Sequence, residues 1–391
     1  MNTVEELQKD NAPEIAAIII ACRIYFNTAK EDVLTDFLNS NKIDWPLFYN
    51  MICAHHIRPI VNKVFSGLKT GTPISAKLQA DCKQIAVNNL EHYRELLRLC
   101  SLFKEANITA VPYKGCLFGL QFYNDVSLRE FSDLDFLIEP GGDNIDAITK
   151  LMETQGYTAT FHVTEKFKAF YFQHTREFKF IHCTNGQRDF LAEFHTSLND
   201  PVFETSSPVP NEYLFEGMET KMFSGNEIKT LSADKHFIAM LSHHGIREQW
   251  TSLKNITDLA QVIKSGAVNW DVIRESGTKY RFNNTLDIGF SLASDLLGVE
   301  PGISFNRLIT TAWTKRLLAK HLFPTDRTWR YNLLLKFKSK DSLADKIRMV
   351  FSHVGHIAKP SILDYNFVKL PKGLFFLYAF IKPVRMWKMR E

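Results

Sequence analysis

The chain has 391 residues, of which 45% are apolar and 31 are phenylalanine, and this composition excludes an intrinsically disordered protein. The length corresponds to two or three domains. The formal net charge is only +4, but residues 311–391 hold 17 Lys and Arg against 5 Asp and Glu, so residues 1–310 carry an excess of acids. A strongly basic nucleic-acid binder is therefore excluded for the chain as a whole, but not for its C-terminal part.

Membrane spans and disulfide scaffolds are also excluded by the sequence. The longest apolar runs, Ile15–Cys22 and Leu374–Ile381, have eight residues each, whereas a spanning helix needs about 18 to 20. The first eleven residues carry acids and Lys, with no basic region before a long apolar core, so we expect no secretory signal. Six scattered cysteines without C-x-x-C spacing indicate reduced thiols, and we expect a cytoplasmic protein. Adjacent histidines such as His243 and His244 point about 100° apart on a helix, so we expect no chelating pair there.

The first 107 residues are predicted to be helical. Helical patterns occur at Ile15–Tyr25 and, as one long amphipathic stretch, from Ala76 to Ala106. Asp44 precedes Trp45 as the expected N-cap of a further helix.

An α+β region with a mixed sheet is predicted for residues 108–230. Asn185 and Gly186 lie between two strand patterns and predict a tight hairpin. The predicted strands are Ile108–Tyr113, Asp133–Glu139, Ala169–His174, Glu177–Cys183 and Arg188–Ser197, with helices at Cys116–Tyr123 and from Asp143 to Gly156.

Helical periodicity returns at Ala233, and we divide the remainder into a helical domain, 231–310, and a basic C-terminal helical extension, 311–391. The predicted helices are 233–245, 253–264, 270–276, 283–297, 311–322, 327–338 and 342–352. The final residues, 360–391, mix proline, aromatic and basic residues and give no clear prediction.

Two acidic residues mark the second predicted strand. Alternation along a strand places Asp133 and Asp135 on one face and Leu134, Phe136 and Ile138 on the other. Paired carboxylates repel each other unless a cation lies between them, and Mg²⁺ is bound by such oxygens together with substrate phosphates. The alternative is a strand face with two solvated acids.

Three neighbouring features favour a phosphate and metal site. Lys114-Gly115 lies where a strand becomes a helix, and such a turn presents free N–H groups to phosphate. Arg129 precedes the acidic strand and could hold a phosphate, brace the carboxylates or form a surface salt bridge. Glu193 and His195 alternate onto one face of a later strand, where Glu193 would complete a two-metal site or belong to a charged edge strand.

The order of these residues resembles the polymerase-β-like nucleotidyltransferase superfamily, and within it the bacterial uncharacterised nucleotidyltransferase family. The resemblance covers residues 40 to 265. The matching residues are Lys114, Gly115, Leu117, Arg129, Asp133, Asp135, Glu193 and His195, followed by His244-Gly245, Trp250, Leu253, Asp258 and Leu259. It implies a polymerase-β-like core, with residues 108–230 as the catalytic domain between the helical regions.

The sequence departs from the superfamily pattern at the glycine turn. Cys116 follows Gly115 where Gly-Gly or Gly-Ser is usual, so a phosphate-binding hydroxyl is absent unless Ser132 or another residue supplies it. The 18-residue separation of Gly115 from Asp133 is long for the superfamily but suits this family.

The resemblance implies transfer of a nucleoside monophosphate from an NTP to an acceptor hydroxyl, with pyrophosphate released. Asp133 and Asp135 would hold one Mg²⁺ (or Mn²⁺) with the triphosphate, and Asp135 and Glu193 a second ion. Lys114 and the Gly115 N–H would bind phosphates.

The sequence allows two roles for each of several further residues. Lys254 and Arg247 would clamp the triphosphate or be solvated helix charges. His195 would orient Glu193 or brace the metal ligands. His244 would touch a phosphate or pack as a satisfied ring, and Asp258 would cap or pair.

The basic C-terminal segment allows three interpretations. It binds RNA or another phosphate-rich acceptor, it rests on an anionic membrane with Phe375, Phe376, Phe380 and Trp387 inserted, or it packs against the acidic body.

The acceptor is not readable from the sequence, and small molecules, tRNA and proteins are all candidates. Two other functions are open, a non-catalytic nucleotide-binding or interaction protein that retains the fold and a metal-dependent phosphohydrolase.

Overall fold

The computed structural model describes residues 6–7, 12–68, 71–139, 142–160, 176–198, 209–223, 225–308, 310–318, 329–358 and 362–388. The strands are β1 (Ala110–Pro112), β2 (Leu134–Ile138), β3 (Tyr157–Ala159), β4 (Glu177–Thr184), β5 (Gln187–His195), β6 (Glu219–Phe223) and β7 (Asn226–Thr230).

Where the structure describes the chain from residue 12 to the first strand, it contains five helices, and the predicted helical character of this region is confirmed. They are α1 (Pro13–Tyr25), α2 (Glu31–Ser40), α3 (Trp45–Ala54), α4 (Arg58–Phe65) and α5 (Ser75–Glu105). The Asp44 carboxylate accepts a hydrogen bond from the Leu47 N–H at 2.9 Å, so the predicted N-cap is confirmed. Sequence patterns did not predict α2 or α4.

A five-stranded mixed sheet forms the centre of the protein, with the order β1-β2-β5-β4-β3. β2 and β5 are parallel, and the other neighbours are antiparallel. The predicted hairpin is confirmed, since Asn185 and Gly186 have φ values of +52° and +78°, as a tight primed turn requires. The strand predicted at Ala169–His174 lies outside the described residues.

Strand β2 is buried on both faces. Leu134, Phe136 and Ile138 pack into one core with α5 and with α6 (Gly142–Thr154), whereas Leu137 packs into a second core on the other side. Because side chains alternate, Asp135 lies on the Leu137 side, towards the helices that follow the sheet.

The helices that follow the sheet complete this second core. They are a short α7 (Asn211–Phe215), then α8 (Ala233–Leu241), α9 (Leu253–Ser265), α10 (Trp270–Tyr280) and α11 (Asn283–Leu292). Helix α8 continues as a π-helical turn over Ser242–Arg247, and α11 over Ala293–Leu297. The core also contains residues of α1, α3 and α4, so the N-terminal helices and the helices after the sheet are packed together.

Two glycines explain why Trp250 can be fully buried. A Cβ at Gly289 would lie 2.7 Å from the Trp250 ring, and a Cβ at Gly245 would lie 2.6 Å from Thr285 and 3.0 Å from the same ring. The Trp250 Nε1–H donates to the Thr285 carbonyl at 2.9 Å. The His-Gly and Trp residues of the resemblance therefore form one packing unit.

The C-terminal segment is helical. Its elements are α12 (Thr311–Leu318), α13 (Trp329–Lys338), α14 (Leu343–Ala358), α15 (Ile362–Phe367), a 3-10 turn (Lys372–Leu377) and α16 (Tyr378–Lys388). None of the helices in the described ranges has both the length and the apolarity that crossing a bilayer demands.

Candidate active site

The turn between β1 and the following helical segment, Gly115–Phe118 with a π-helical continuation over Gly119–Tyr123, has a strained backbone. Lys114 has a φ of +57° and Gly115 one of +40°. A Cβ at Gly115 would lie 3.2 Å from the Asp133 carbonyl oxygen, so glycine allows the two segments to approach. The turn therefore brings Lys114 and Gly115 against the start of the acidic strand.

A buried histidine holds this turn in place. The Lys114 backbone N–H donates to His236 Nε2 at 3.1 Å, and His236 Nδ1 lies 2.6 Å from Gln121 Oε1. Because Nε2 accepts, the ring is neutral with its proton on Nδ1. Burial lowers the pKa of His236 to about 3, which agrees with this arrangement. Sequence patterns did not identify His236, because its partner is 122 positions away.

Asp135 and Glu193 lie directly opposite each other on the parallel strands β2 and β5. Asp135 Oδ1 accepts from Lys114 Nζ at 3.1 Å and lies 2.7 Å from His195 Nε2. Glu193 Oε1 accepts from Lys179 Nζ at 2.6 Å. Ammonium groups thus partly neutralise both carboxylates.

His195 is fully buried and contacts Asp135 more closely than Glu193, whose Oε2 is 3.7 Å from Nε2. The sequence left two roles open for His195, orienting Glu193 or bracing the metal ligands. In the structure its direct contact is with Asp135. Burial, followed by the charges of Lys114 and Arg176, lowers the pKa of His195 well below its ordinary value.

Asp133 lies just before β2 and lines the same pocket as Asp135. Burial, and then the negative charge of Asp135, raise the pKa of Asp133, as expected for two nearby carboxylates. Ser132 is exposed and lies outside the lining residues of the pocket. Burial raises the pKa of Cys116 to about 12, so its thiol stays protonated.

Arg129 is not on the surface but is buried against Asp258. Its Nε lies 3.1 and 3.0 Å from the two carboxylate oxygens, and its Nη1 donates to the Gly115 carbonyl at 3.1 Å. The same carboxylate accepts from the Tyr123 hydroxyl at 2.7 Å, and His244 Nε2 lies 2.8 Å from it. Asp258 therefore pairs, which was one of its predicted roles, and connects the glycine turn to the helices beyond the sheet.

In this cluster, the neighbouring positive charges change the pKa of Asp258 more than its burial does. Although burial raises the pKa of Asp258, Arg129 and His244 hold it below its ordinary range. His244 is buried with its ring satisfied by Asp258, and its edge also lines the pocket. Both roles suggested for His244 remain compatible with this position.

Lys254 and Arg247 stand on the helical side of the pocket. Lys254 Nζ donates to the Glu130 carbonyl at 2.6 Å. Burial, and then the positive charge of Arg129, lower the pKa of Lys254 to about 8. Arg247 is more exposed, and its guanidinium lies 3.9 Å from Glu177.

Glu130 is a positioning residue that sequence patterns did not reveal. Its carboxylate accepts from the Arg58 backbone N–H at 2.8 Å and from the Arg58 guanidinium at 2.6 Å. Asn89 adds a hydrogen bond to the Arg129 carbonyl at 2.9 Å. The N-terminal helices therefore fix the loop that carries Arg129 and Asp133.

Together these groups enclose a polar pocket of about 260 Å³ between the sheet and the helical region. Of the residues singled out in the sequence, the pocket is lined by Lys114, Gly115, Arg129, Asp133, Asp135, Glu193, His244, Arg247 and Lys254. His195 lies beside the pocket rather than in its wall. A wall of carboxylates and cations suits a phosphorylated ligand bound with a metal ion.

Among the described residues, two groups of side chains could coordinate a cation. Ligand atoms of Asp135, Glu193 and His195 lie within 4.8 Å of one another, and so do those of His243, His244 and Glu248. The adjacent histidines were not expected to form a chelating pair by themselves, and in the second group Glu248, four positions after His244, supplies a third ligand atom.

Comparison with known proteins agrees with the site. A family model described as an uncharacterised nucleotidyltransferase matches residues 41–298. That range includes α3 to α11, the mixed sheet and the lining residues of the pocket. No curated protein and no solved structure matches the chain. Since the family match extends over more than half of the sequence, the chain belongs to the uncharacterised nucleotidyltransferase family and is a nucleotidyltransferase.

Proposed function

We propose that this nucleotidyltransferase is a metal-dependent enzyme that transfers a nucleoside monophosphate from an NTP to an acceptor hydroxyl and releases pyrophosphate. One observation carries the proposal. Asp133, Asp135 and Glu193 converge on a pocket that Lys114 and Gly115 line beside the carboxylates and that Arg247 and Lys254 line on the helical side.

The donor set fits a hard divalent cation. Asp135 and Glu193 offer oxygen ligands from adjacent strands, and Asp133 adds a third carboxylate at the pocket. Lys114 and Lys179 form ion pairs with these carboxylates, and this charge compensation supports a site that would accept a cation. When bound, Mg²⁺ (or Mn²⁺) would neutralise the triphosphate and lower the pKa of the acceptor hydroxyl.

The surrounding cations would bind and orient the triphosphate. The Lys114 amine exchanges its hydrogen bond with Asp135 for one with a phosphate oxygen, and Gly115 leaves room for close approach of the backbone. Lys254, whose pKa is about 8, becomes fully protonated beside a phosphate. Arg129 lines the pocket, and its pairing with Asp258 fixes the orientation of the guanidinium.

Chemistry then depends mainly on position and charge compensation. The acceptor oxygen forms a bond to the α-phosphorus while the bond from that phosphorus to the bridging oxygen of the β-phosphate breaks. Pyrophosphate leaves with that electron pair, and the hydroxyl proton passes to solvent. Small molecules, tRNA and protein hydroxyls all remain candidate acceptors.

The double variant Asp133→Asn/Asp135→Asn tests the mechanism. We expect wild-type protein with Mg²⁺ or Mn²⁺ to move label from α-³²P-NTP to an acceptor in small-molecule, tRNA or protein fractions. The double variant should lose about a thousandfold or more of this rate, while circular dichroism shows that it remains folded.

Three results would contradict the proposal. An unchanged rate in the double variant would remove the carboxylates from the mechanism. NTP binding without transfer to any fraction would indicate a non-catalytic nucleotide-binding protein. Release of nucleoside monophosphate or orthophosphate without a labelled acceptor would indicate a phosphohydrolase.

A further inference from the structure

Exposed apolar side chains are concentrated at one end of the molecule. Eighteen large apolar side chains are exposed in the part of the chain that the structure describes, and fifteen of them lie between Leu334 and Trp387. The other three are Val87, Leu90 and Met222. Exposed apolar surface of this extent marks an interaction site.

Helix α14 turns its apolar face outward. Leu343, Ile347, Val350 and Phe351 are all exposed, with 70% exposure for Leu343 and 71% for Phe351. Their spacing of four, three and one residues places them on one side of the helix. Asp345 and Met349 on the opposite side are buried, so the usual orientation of a surface helix is reversed.

Helix α16 repeats this reversed arrangement. Phe380, Val384 and Trp387 follow the same spacing and are 73%, 50% and 65% exposed. The opposite side of the helix is buried and carries Lys382 and Arg385, which pair with Asp364 at 3.9 and 2.8 Å. Helices α14 and α16 contact each other. We call the exposed apolar faces of these two helices, defined by the residues above, the C-terminal apolar surface.

Acidic side chains are withdrawn from the exterior of this segment. Asp341 accepts backbone N–H bonds from Asn283 and Asn284 at 3.0 and 2.8 Å. Asp345 and Asp364 are buried in ion pairs with arginines. Within 329–358 and 362–388, no described acid is exposed. The exposed bases include Lys338, Arg348, Lys369 and Lys388.

We propose that the C-terminal apolar surface docks on an anionic lipid bilayer. Aliphatic and aromatic side chains of an amphipathic helix insert at the boundary between headgroups and acyl chains, and neighbouring Lys and Arg bind the lipid phosphates. The contact is peripheral, and both helices lie in the plane of the interface. This inference is independent of the proposed reaction.

The chemistry favours a lipid surface over two other occupants. The aliphatic side chains Leu343, Ile347 and Val350 offer neither base stacking nor phosphate contacts, so most of the surface would have no use in binding RNA. A second copy of the chain would bring two segments of charge +12 face to face, which is unfavourable.

Vesicle co-sedimentation of the full chain tests the proposal. We expect binding to vesicles of phosphatidylcholine with about 30% phosphatidylglycerol, weaker binding to phosphatidylcholine alone, and a decrease with salt. The variant Phe351→Ser/Phe380→Ser/Trp387→Ser should lower the partition coefficient about tenfold or more. The matched control Val87→Ser/Leu90→Ser/Met222→Ser removes three exposed apolar side chains elsewhere and should bind as wild type.

Charge reversal separates the two contributions. The variant Lys338→Glu/Lys369→Glu/Lys388→Glu should lose about tenfold or more of its binding to the anionic vesicles and keep its weak binding to phosphatidylcholine. Hydrogen exchange of wild-type protein should show protection of residues 343–351 and 380–388 on anionic vesicles, and this readout requires no variant.

Three results would overturn the proposal. Equal binding by the serine triple variant and its matched control would remove the apolar surface from the contact. A dimer in light scattering that the serine variant abolishes, without vesicle binding, would assign the surface to a second copy. Salt-sensitive RNA binding without vesicle binding would assign the basic segment to nucleic acid.

Discussion

The family-matched body, residues 41–298, and the C-terminal segment, residues 329–388, both bury charged groups but place their large apolar side chains in opposite ways. In the body, charged groups such as Arg129 and Asp258 face inward to build a pocket, and large apolar side chains are almost all buried. In the C-terminal segment, acids also face inward, but apolar side chains face outward. The first pattern suits the proposed binding of a nucleotide, and the second suits the proposed docking on a lipid surface.

Loss of a buried ion pair should destabilise a larger part of the fold in the body than in the C-terminal segment. Asp258→Asn leaves Arg129 buried without its carboxylate and should lower the free energy of unfolding of the whole body by about 3–5 kcal/mol. Asp364→Asn removes a buried partner of Arg385 only 21 positions away, so destabilisation should stay within α15 and α16. Hydrogen exchange, followed peptide by peptide, measures which parts of the fold each variant destabilises. Global destabilisation by Asp364→Asn would contradict the expected difference between the two regions.

Acid should weaken the body through His236. Its pKa in the folded state is about 3, below an unfolded value near 6.5, so the neutral ring is favoured by folding. The stabilisation is complete above about pH 6.5 and is lost as the pH falls towards 3, by up to about 1.4 kcal/mol per pH unit.

The His236→Gln variant isolates this contribution, because glutamine retains a hydrogen-bond acceptor without titrating. Between pH 7 and 4.5 it should lose roughly 2–3 kcal/mol less unfolding free energy than wild type. Urea unfolding at both pH values measures the difference, and parallel losses would exclude His236 as the origin.

The smallest expected effect concerns packing around glycines in the two regions. In Gly289→Ala the new Cβ meets the Trp250 ring and Leu259 at 2.7 and 2.9 Å, and overpacking should cost about 1–3 kcal/mol. Gly373→Ala in the C-terminal segment meets no atom within 4 Å and should change stability by less than about 0.5 kcal/mol. Thermal unfolding compares the two, and equal shifts would show that the regions are packed alike.

Local features were predicted well because neighbouring residues determine them. The Asp44 cap, the Asn185-Gly186 hairpin and the long helix α5 depend on positions within a few residues. Strand alternation and chain order were enough to select Asp133, Asp135 and Glu193, which line one pocket, and their catalytic role stays a prediction. The short β3 and the β6–β7 hairpin were missed, since three to five residues give little periodicity.

Long-range partners could not be read from the sequence. Glu130 meets Arg58 across 72 positions and Lys114 meets His236 across 122. The pairing of Arg129 with Asp258 joins two residues that were each noticed, but only tertiary packing brings them together. The outward-facing apolar stripe of α14 was likewise hidden, because periodicity shows that a helix has an apolar face but not which way that face turns.

The lysines on the carboxylates have a consequence for the order of assembly at the site. Lys114 and Lys179 already occupy oxygens of Asp135 and Glu193, so a bare cation has to compete with two ammonium groups. A triphosphate offers at least Lys114 another partner and thereby frees the carboxylate. In the proposed reaction, nucleotide and cation should therefore raise each other's affinity by the same factor.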